Sequence, residues 1–267
     1  MEETLVKRPA EFRPAPVTGS MRDHCTAGEW ETRVELAALF RLVHMYGLDD
    51  IDNGAICARV KDDPDRWLIH PYGLFWDEAK ASDFILIDEE GDLVRDDDRF
   101  VGIGVINLCQ WIFGSRPEIN FFIHGHVEEV QAVSAIESRL LPLSQAAIYL
   151  MHLVRYIDYD FLEDDVYGKH FVDTIADAGI LIAGHHGYYN LGRTAAEALF
   201  RTYYLRQACS VQIKAMATGD RLRPIDMEEL QETRREMYSS ENYNYDGSTE
   251  WLGWLRRLER VNPGWDL

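Results

Sequence analysis

Two apolar runs of strand type each deliver histidine beside glycine: Phe121-Phe122-Ile123-His124-Gly125-His126 and Ile180-Leu181-Ile182-Ala183-Gly184-His185-His186-Gly187. Side chains on a strand alternate between its faces, so His124 and His126 are expected to point the same way, within reach of one ion. The second run has the same shape. Three imidazoles gathered from two strand ends form an open metal site, with positions left for water or substrate. The competing reading, ordinary histidines on a strand, leaves the repetition of the pattern unexplained.

Charge narrows the partners. The 267 residues carry a formal net charge of -19. A field of that sign repels phosphate backbones and anionic lipid surfaces, so neither nucleic acid nor a membrane is the expected partner. Cys25, Cys57, Cys109 and Cys209 form no CxxC pair, which favours reduced, mostly buried thiols over a disulfide frame or zinc ribbon. No apolar run approaches the length of a membrane span, and the first residues lack a signal-peptide core. A cytoplasmic protein is the expectation.

Along the chain, residues 1–20 hold Pro9, Pro14, Pro16 and Gly19 and read as an extended N-terminal arm. Apolar residues recur at helical spacing from Glu29 to Tyr46. Strands are expected at Ala55–Val60, Trp67–His70, Phe84–Asp88 and Asn120–His124, with helices at Asn107–Phe113, Val130–Ser138, Phe171–Ala178 and Thr194–Thr218. Residues 226–267 form a helical tail with Trp251, Trp254 and Trp265 among basic residues. The main domain is then 21–225, a mixed α/β unit with a sheet covered by helices. The acidic runs Asp62-Asp63, Asp88-Glu89-Glu90 and Asp96-Asp97-Asp98 lack calcium-loop spacing and read as solvated turns.

Several ordered stretches carry a resemblance: Asn53-Gly54-Ala55-Ile56-Cys57-Ala58-Arg59, His70-Pro71-Tyr72-Gly73, Lys80-Ala81-Ser82-Asp83, and Ser115-Arg116-Pro117-Glu118-Ile119-Asn120 leading into His124-Gly125-His126, then His185-His186-Gly187. From about Trp30 to Met216 the chain resembles the class II aldolase/adducin family. The resemblance implies a three-layer α/β/α fold with a largely antiparallel central sheet. It also implies a homotetramer with sites at subunit interfaces, the C-terminal tail lying at such an interface. It assigns a divalent metal to His124, His126 and His186, where it would polarise a substrate carbonyl or enolate. Zinc or iron(II) suits an all-histidine set, and manganese or cobalt is also compatible.

The departures from the family are informative. Its sugar-phosphate aldolases have an acid/base glutamate some nineteen residues before the first metal histidine, where this chain has Val105. Their phosphate-binding serines correspond to Ile103 and Gly104, and the asparagine and threonine of that subsite to Ala55 and Tyr72. Gly73 is retained. An apolar wall cannot solvate a dianionic phosphate, so the expected substrate is an unphosphorylated small carboxylic acid, aromatic or otherwise apolar.

Other residues carry two readings each. Tyr188 and Tyr189 either line the cavity, with a phenol donating a hydrogen bond or proton, or are core aromatics. Gln145 either orients a substrate carboxylate or caps a helix. His70, with Tyr72 and Gly73, belongs to the expected substrate loop. Glu128 and Glu129 either replace the missing base or favour a helix dipole. His185 is read as a packing neighbour of the ligands.

Three functions follow as expectations. The first is a metal-dependent carbon–carbon lyase or decarboxylase acting on an oxo- or hydroxy-acid, since decarboxylation needs no base to remove a proton. The second is a non-haem iron(II) oxygenase shortening an aryl-pyruvate side chain, as family-like proteins of aminocoumarin antibiotic pathways do. The third is a non-catalytic interaction module of adducin type, against which the complete histidine trio counts.

Overall fold

The computed structural model describes residues 20–95, 97–160, 165–239 and 244–267. The expected N-terminal arm lies outside the described residues, apart from Ser20. The helices are α1 (Ala27–Met45), α2 (Ile103–Ser115), α3 (Glu128–Ser134), α4 (Gln145–Leu150), α5 (Asp165–Ile175), α6 (Ala195–Ala217), α7 (Met227–Ser239) and α8 (Ser248–Val261). The strands are β1 (Ala55–Val60), β2 (Asp63–Ile69), β3 (Ile85–Asp88), β4 (Phe121–Gly125), β5 (Val154–Asp158), β6 (Ile180–Gly184) and β7 (Gly187–Gly192). Among the described residues no helix is long and apolar enough to cross a membrane.

The strands make one seven-stranded sheet in the order β3-β2-β1-β4-β7-β6-β5. Every pairing is antiparallel except β5 with β6, which are joined through α5. A parallel pair needs such a crossover, whereas the antiparallel pairs are closed by turns or longer returns. Period-two alternation then sorts the side chains into two cores. Ile56, Ala58, Phe121, Ile123, Ile182 and Tyr188 face one side, under α1, α6 and α8. Cys57, Phe122, Leu181, Ala183, Tyr189 and Leu191 face the other, under α2 and α5. Helices on both faces of one sheet make the three-layer α/β/α sandwich that the sequence led us to expect.

The long helices begin where their sequence supplies a cap. The Thr26 hydroxyl accepts from the Glu29 N–H (3.0 Å), and Thr194 does the same for Glu197 (3.1 Å). Leu36, Leu39, Phe40 and Val43 form the wholly buried stripe of α1. Two strands escape sequence reading. β5 carries two polar residues and two partly exposed positions, and β7 opens on Gly187 and closes on Gly192, so neither shows strong alternation. The reading of α5 as Phe171–Ala178 also shifts, because the helix stops at Ile175 and a turn leads into β6.

The described residues of 226–267 return to the domain. Arg41, nearly buried, donates to Ala79 O (2.7 Å), Asn262 Oδ1 (2.7 Å) and Pro263 O (2.8 Å), and the Ala81 N–H donates to Trp265 O (3.0 Å). Trp251, Trp254, Leu255 and Trp265 pack on the α1/α6 core. Carboxylates of the acidic runs are paired as well as solvated: exposed Asp62 accepts from Thr26 Oγ1 and the Gly28 N–H at the start of α1, Asp88 lies 3.4 Å from Arg66, and half-buried Asp97 pairs with Arg99 at 2.5 Å.

His70 sits just past β2 with 2% of its surface exposed, its ring edge against Phe40 at 5.2 Å. Its Nδ1 has no hydrogen-bond partner, and burial holds its pKa down at about 4. This corrects its reading as a substrate-binding residue: the alternation of β2 turns the ring into the core. Above pH 6.5 the ring is neutral in folded and unfolded chains alike. Between pH 6.5 and about 4 only the unfolded chain takes up the proton, so stability falls as pH falls, by roughly 3 kcal/mol over the whole window. His70→Leu is expected to flatten that part of the stability curve in urea unfolding across the window. A variant curve parallel to the parent would show that another group is responsible.

Candidate metal centre

β4 and β7 run antiparallel, with His124 opposite Tyr189 and Gly125 opposite Tyr188. β4 ends at Gly125, so His126 is the first residue beyond the strand, and α3 begins two residues later. On the other side β6 ends at Gly184, and a two-residue turn carries His185 and His186 into β7. His185 takes the left-handed conformation (φ +59°), and its N–H donates to Ser134 Oγ (3.0 Å). It is exposed while His186 turns inward, so a turn, and not strand alternation, separates the two. Glycine at 187 is obligatory: a Cβ there would lie 2.3 Å from Gly125 O and 2.9 Å from His126 Cδ2.

The three rings converge. Their centroids lie 4.7 Å (His124–His126), 4.6 Å (His126–His186) and 5.1 Å (His124–His186) apart. One ring nitrogen from each falls within 4.8 Å of the other two. His126 Nε2 and His186 Nε2 are 3.4 Å apart. Two nitrogens bound at 2.0–2.1 Å to a tetrahedral ion stand about 3.3–3.4 Å apart, so this spacing fits a shared cation.

Partners on the far side of the rings decide which nitrogen faces inward. The Nδ1–H of His124 donates to Tyr188 O (3.0 Å), leaving Nε2 with its lone pair. Asp50 Oδ2 is 3.3 Å from His126 Nδ1, longer than a formed hydrogen bond, and Nδ1 has no other partner. A carboxylate only accepts, so its approach favours a proton on Nδ1 with Nε2 free. Burial, then the neighbouring imidazoles of His126 and His186, hold His124 well below its ordinary pKa. Burial lowers His126 against the pull of Asp50, and burial with His126 brings His186 to about 4. Three neutral imidazoles at neutral pH are the ligating form. The residues present therefore fit a divalent metal.

Aromatic stacking fixes the ring planes. Tyr189 stacks on His124 (4.3 Å, 9°), and Tyr159 stacks on His186 (3.7 Å, 2°), so the two imidazoles lie between two phenol rings in one column. The cluster opens into a cavity of about 470 Å³. Ala55, Gly104, Val105, Leu108 and Tyr72 line it, and Asp50, Asn53, Gln131 and Tyr159 supply its polar groups. Among the described residues no lysine or arginine lines it.

Not every residue named from sequence reaches this place. Tyr188 has its ring in the α1/α6 core, 1% exposed, with its hydroxyl 3.5 Å from Leu48 O. Burial raises its pKa far above the ordinary phenol value. Its contribution to the centre is its backbone carbonyl. Tyr189, one residue on, takes the opposite face and the ring contact. Gln145 is exposed in the first turn of α4, beside Tyr149, and Glu128 is exposed in the first turn of α3; neither lines the cavity. Glu129 is paired with Arg206 at 3.2 Å. Tyr72 does line the cavity, its ring edge on Phe100 at 5.7 Å, and Gly73 (φ +86°) turns the chain just behind it. Sequence reading passed over Asp50, Asn53, Gln131 and Tyr159. An Asp-x-x-Asn turn beside the quoted Asn53-Gly54-Ala55 was the available signal for the first two. Tyr159 follows the unrecognised strand β5 and had none.

Removing a ligand gives a direct check. His186→Ala is expected to abolish retention of a stoichiometric ion through gel filtration and metal analysis. His185→Asn, which keeps a residue tolerant of the left-handed conformation, should leave it intact. Equal metal content in both variants would refute the assignment.

The sequence profile of the Class II Aldolase and Adducin N-terminal domain matches residues 34–213. A protein of Caulobacter vibrioides, assigned to aldolase class 2 by inference in its name, is 30% identical over 93% of this chain and 96% of its own length. Alpha-adducin of Rattus norvegicus is 30% identical over 72% of this chain, which is 26% of the adducin. The solved structure of an aldolase II superfamily protein from Pseudomonas syringae superposes with a TM-score of 0.85, at 28% identity, covering 93% of this chain and 100% of that one. On the profile, the sequence relatives and the shared sandwich, this chain belongs to the class II aldolase and adducin family.

Proposed function

We propose that this protein is a metal-dependent carbon–carbon lyase or decarboxylase acting on an unphosphorylated oxo- or hydroxy-acid with an apolar or aromatic tail. One observation carries the reading: three neutral imidazole edges stand at the floor of a cavity whose wall is Ala55, Gly104, Val105 and Leu108, with no cationic side chain among the described residues. A bound divalent ion supplies Lewis acidity toward the substrate's adjacent oxygens. His124, His126 and His186 would hold it, with zinc or iron(II) the ions best suited to the set.

The remaining work falls to the chain. The side-chain amides of Asn53 and Gln131 face the cavity and can hydrogen-bond substrate oxygens, fixing which bond faces the centre. Val105, Leu108 and the Tyr72 ring offer an apolar surface to the substrate's tail and keep water from it. A phosphate dianion placed against that wall would lose its hydration without gaining a lysine or arginine among the described residues. Val105 has no proton to exchange, which suits a reaction that begins by losing carbon dioxide. The protein is proposed to act as a cytoplasmic homotetramer on a small carboxylic acid.

The test is an assay under nitrogen. Protein purified without oxygen, with its metal quantified, is incubated with aryl- and alkyl-bearing 3-oxo acids, whose loss of carbon dioxide leaves an enolate, and with 4-hydroxy-2-oxo acids, whose cleavage releases an aldehyde. The expected outcome is release of carbon dioxide or an aldehyde that chelator abolishes and added metal restores, with sugar phosphates left uncleaved. Turnover that strictly requires dioxygen would replace this reading with the iron(II) oxygenase. A chain that retains no metal and turns over nothing would favour the adducin-type module.

A further inference from the structure

We propose that Asp50 is a positioning residue of the metal centre, acting through His126 from a strained turn held against β4. It rests on the metal reading of the three histidines and is independent of the reaction assigned to them. Asp50 is the one carboxylate within ion-pair distance of a ligand among the described residues, 3.3 Å from His126 Nδ1. Its oxygens lie outside the cluster of converging ligand atoms, so it orients a ligand and is not a fourth one.

The turn that presents Asp50 is built for the purpose. The Asn53 N–H donates to Asp50 O (2.8 Å), and Asn53 Nδ2 donates to Asp50 Oδ2 (3.2 Å), closing a four-residue loop around the carboxylate. Between them Ile51 is held at φ +56°. A β-branched residue in the left-handed region is a genuine outlier, and its side chain is 68% exposed, so burial of that side chain does not compensate the strain. Such strain persists only where the surroundings impose it. Gly54 follows at φ +111°, and a Cβ there would lie 2.7 Å from His124 O, so the loop is seated directly on the backbone of another ligand. One strained turn therefore touches two of the three ligands.

The ligands are consequently unequal. His124 hydrogen-bonds its second nitrogen to a neutral backbone carbonyl, whereas the second nitrogen of His126, which makes no formed hydrogen bond, has a carboxylate 3.3 Å away. A carboxylate behind an imidazole fixes the ring's orientation and strengthens its donation to a metal. Asp50 also faces the cavity, with 42% of its side chain exposed, and among the described residues it is the one carboxylate in a lining that holds no lysine or arginine.

The experiment compares the parent with Asp50→Asn and Asp50→Ala in zinc competition against a chromophoric chelator, in visible spectra of the cobalt-loaded proteins, and in thermal unfolding without metal. Asp50→Ala is expected to weaken zinc binding by roughly 10- to 100-fold and to shift the cobalt bands. Asp50→Asn, whose amide oxygen still accepts, should lose less. Metal-free melting should stay at the parent value in both. Unchanged zinc affinity and cobalt spectra in Asp50→Ala would overturn the proposal. So would a loss matched by an equal fall in metal-free stability, which would mark a merely structural turn. A parent that binds no zinc or cobalt would sink the metal site itself, a failure distinct from that of Asp50.

Discussion

The pairing of β4 with β7 is the constraint on which the centre depends. Those strands lie side by side in the middle of the sheet, and their register sets His124 against Tyr189 and the chain beyond Gly125 against the turn at Gly187. A slip of one residue would send the ring of His124 to the opposite core and put Tyr188 where Tyr189 stacks. The buried faces on both sides forbid that slip, because every apolar side chain of the two strands would change layers with it. The three-histidine cluster thus inherits its precision from hydrophobic sorting that involves none of its own ring nitrogens.

Electrostatics divides the molecule sharply. The surface carries a large negative net charge, yet the centre is made of imidazoles kept neutral by burial and by one another. Such a place suits a positive ion, which would meet lone pairs, the Asp50 carboxylate and, among the described residues, no lysine or arginine in the lining. The same arrangement is the ground for proposing an unphosphorylated substrate. The replacements at 55, 72, 104 and 105, scattered through the sequence, become one wall of one cavity. Their joint chemistry, apolar where the family's sugar-phosphate aldolases are polar, is the strongest guide to the class of substrate.

Legibility varied with the physical origin of each feature. The α1 and α6 helices show apolar spacing and a threonine cap, so local forces suffice to place them. The histidine islands were readable because strand periodicity and a neighbouring glycine are both local signals. Tyr188 and Tyr189 could not be told apart, since two adjacent aromatics on an unrecognised strand look alike until its partner fixes the face of each. His70 offers the opposite lesson: a histidine in a motif became a core residue because the strand before it delivers it beneath α1. Gln145 and Glu128 lie on helix starts, where local capping and dipole forces already account for polar residues, and the fold gave them nothing further to face.

What the chain determined by itself was a mixed α/β unit with a helix-covered sheet and two histidine islands, because apolar periodicity and strand alternation depend on residues near one another in sequence. The three-layer sandwich and the choice of His186 were implied by the family resemblance. What only the tertiary structure decided was the company those imidazoles keep: Asp50 from the loop before β1, Tyr159 from the end of β5, and Val105 and Leu108 from α2. These residues come from segments far apart in the chain, and no local periodicity encodes their meeting; only the closing of the sheet, with its helices laid on both faces, gathers them around one cavity.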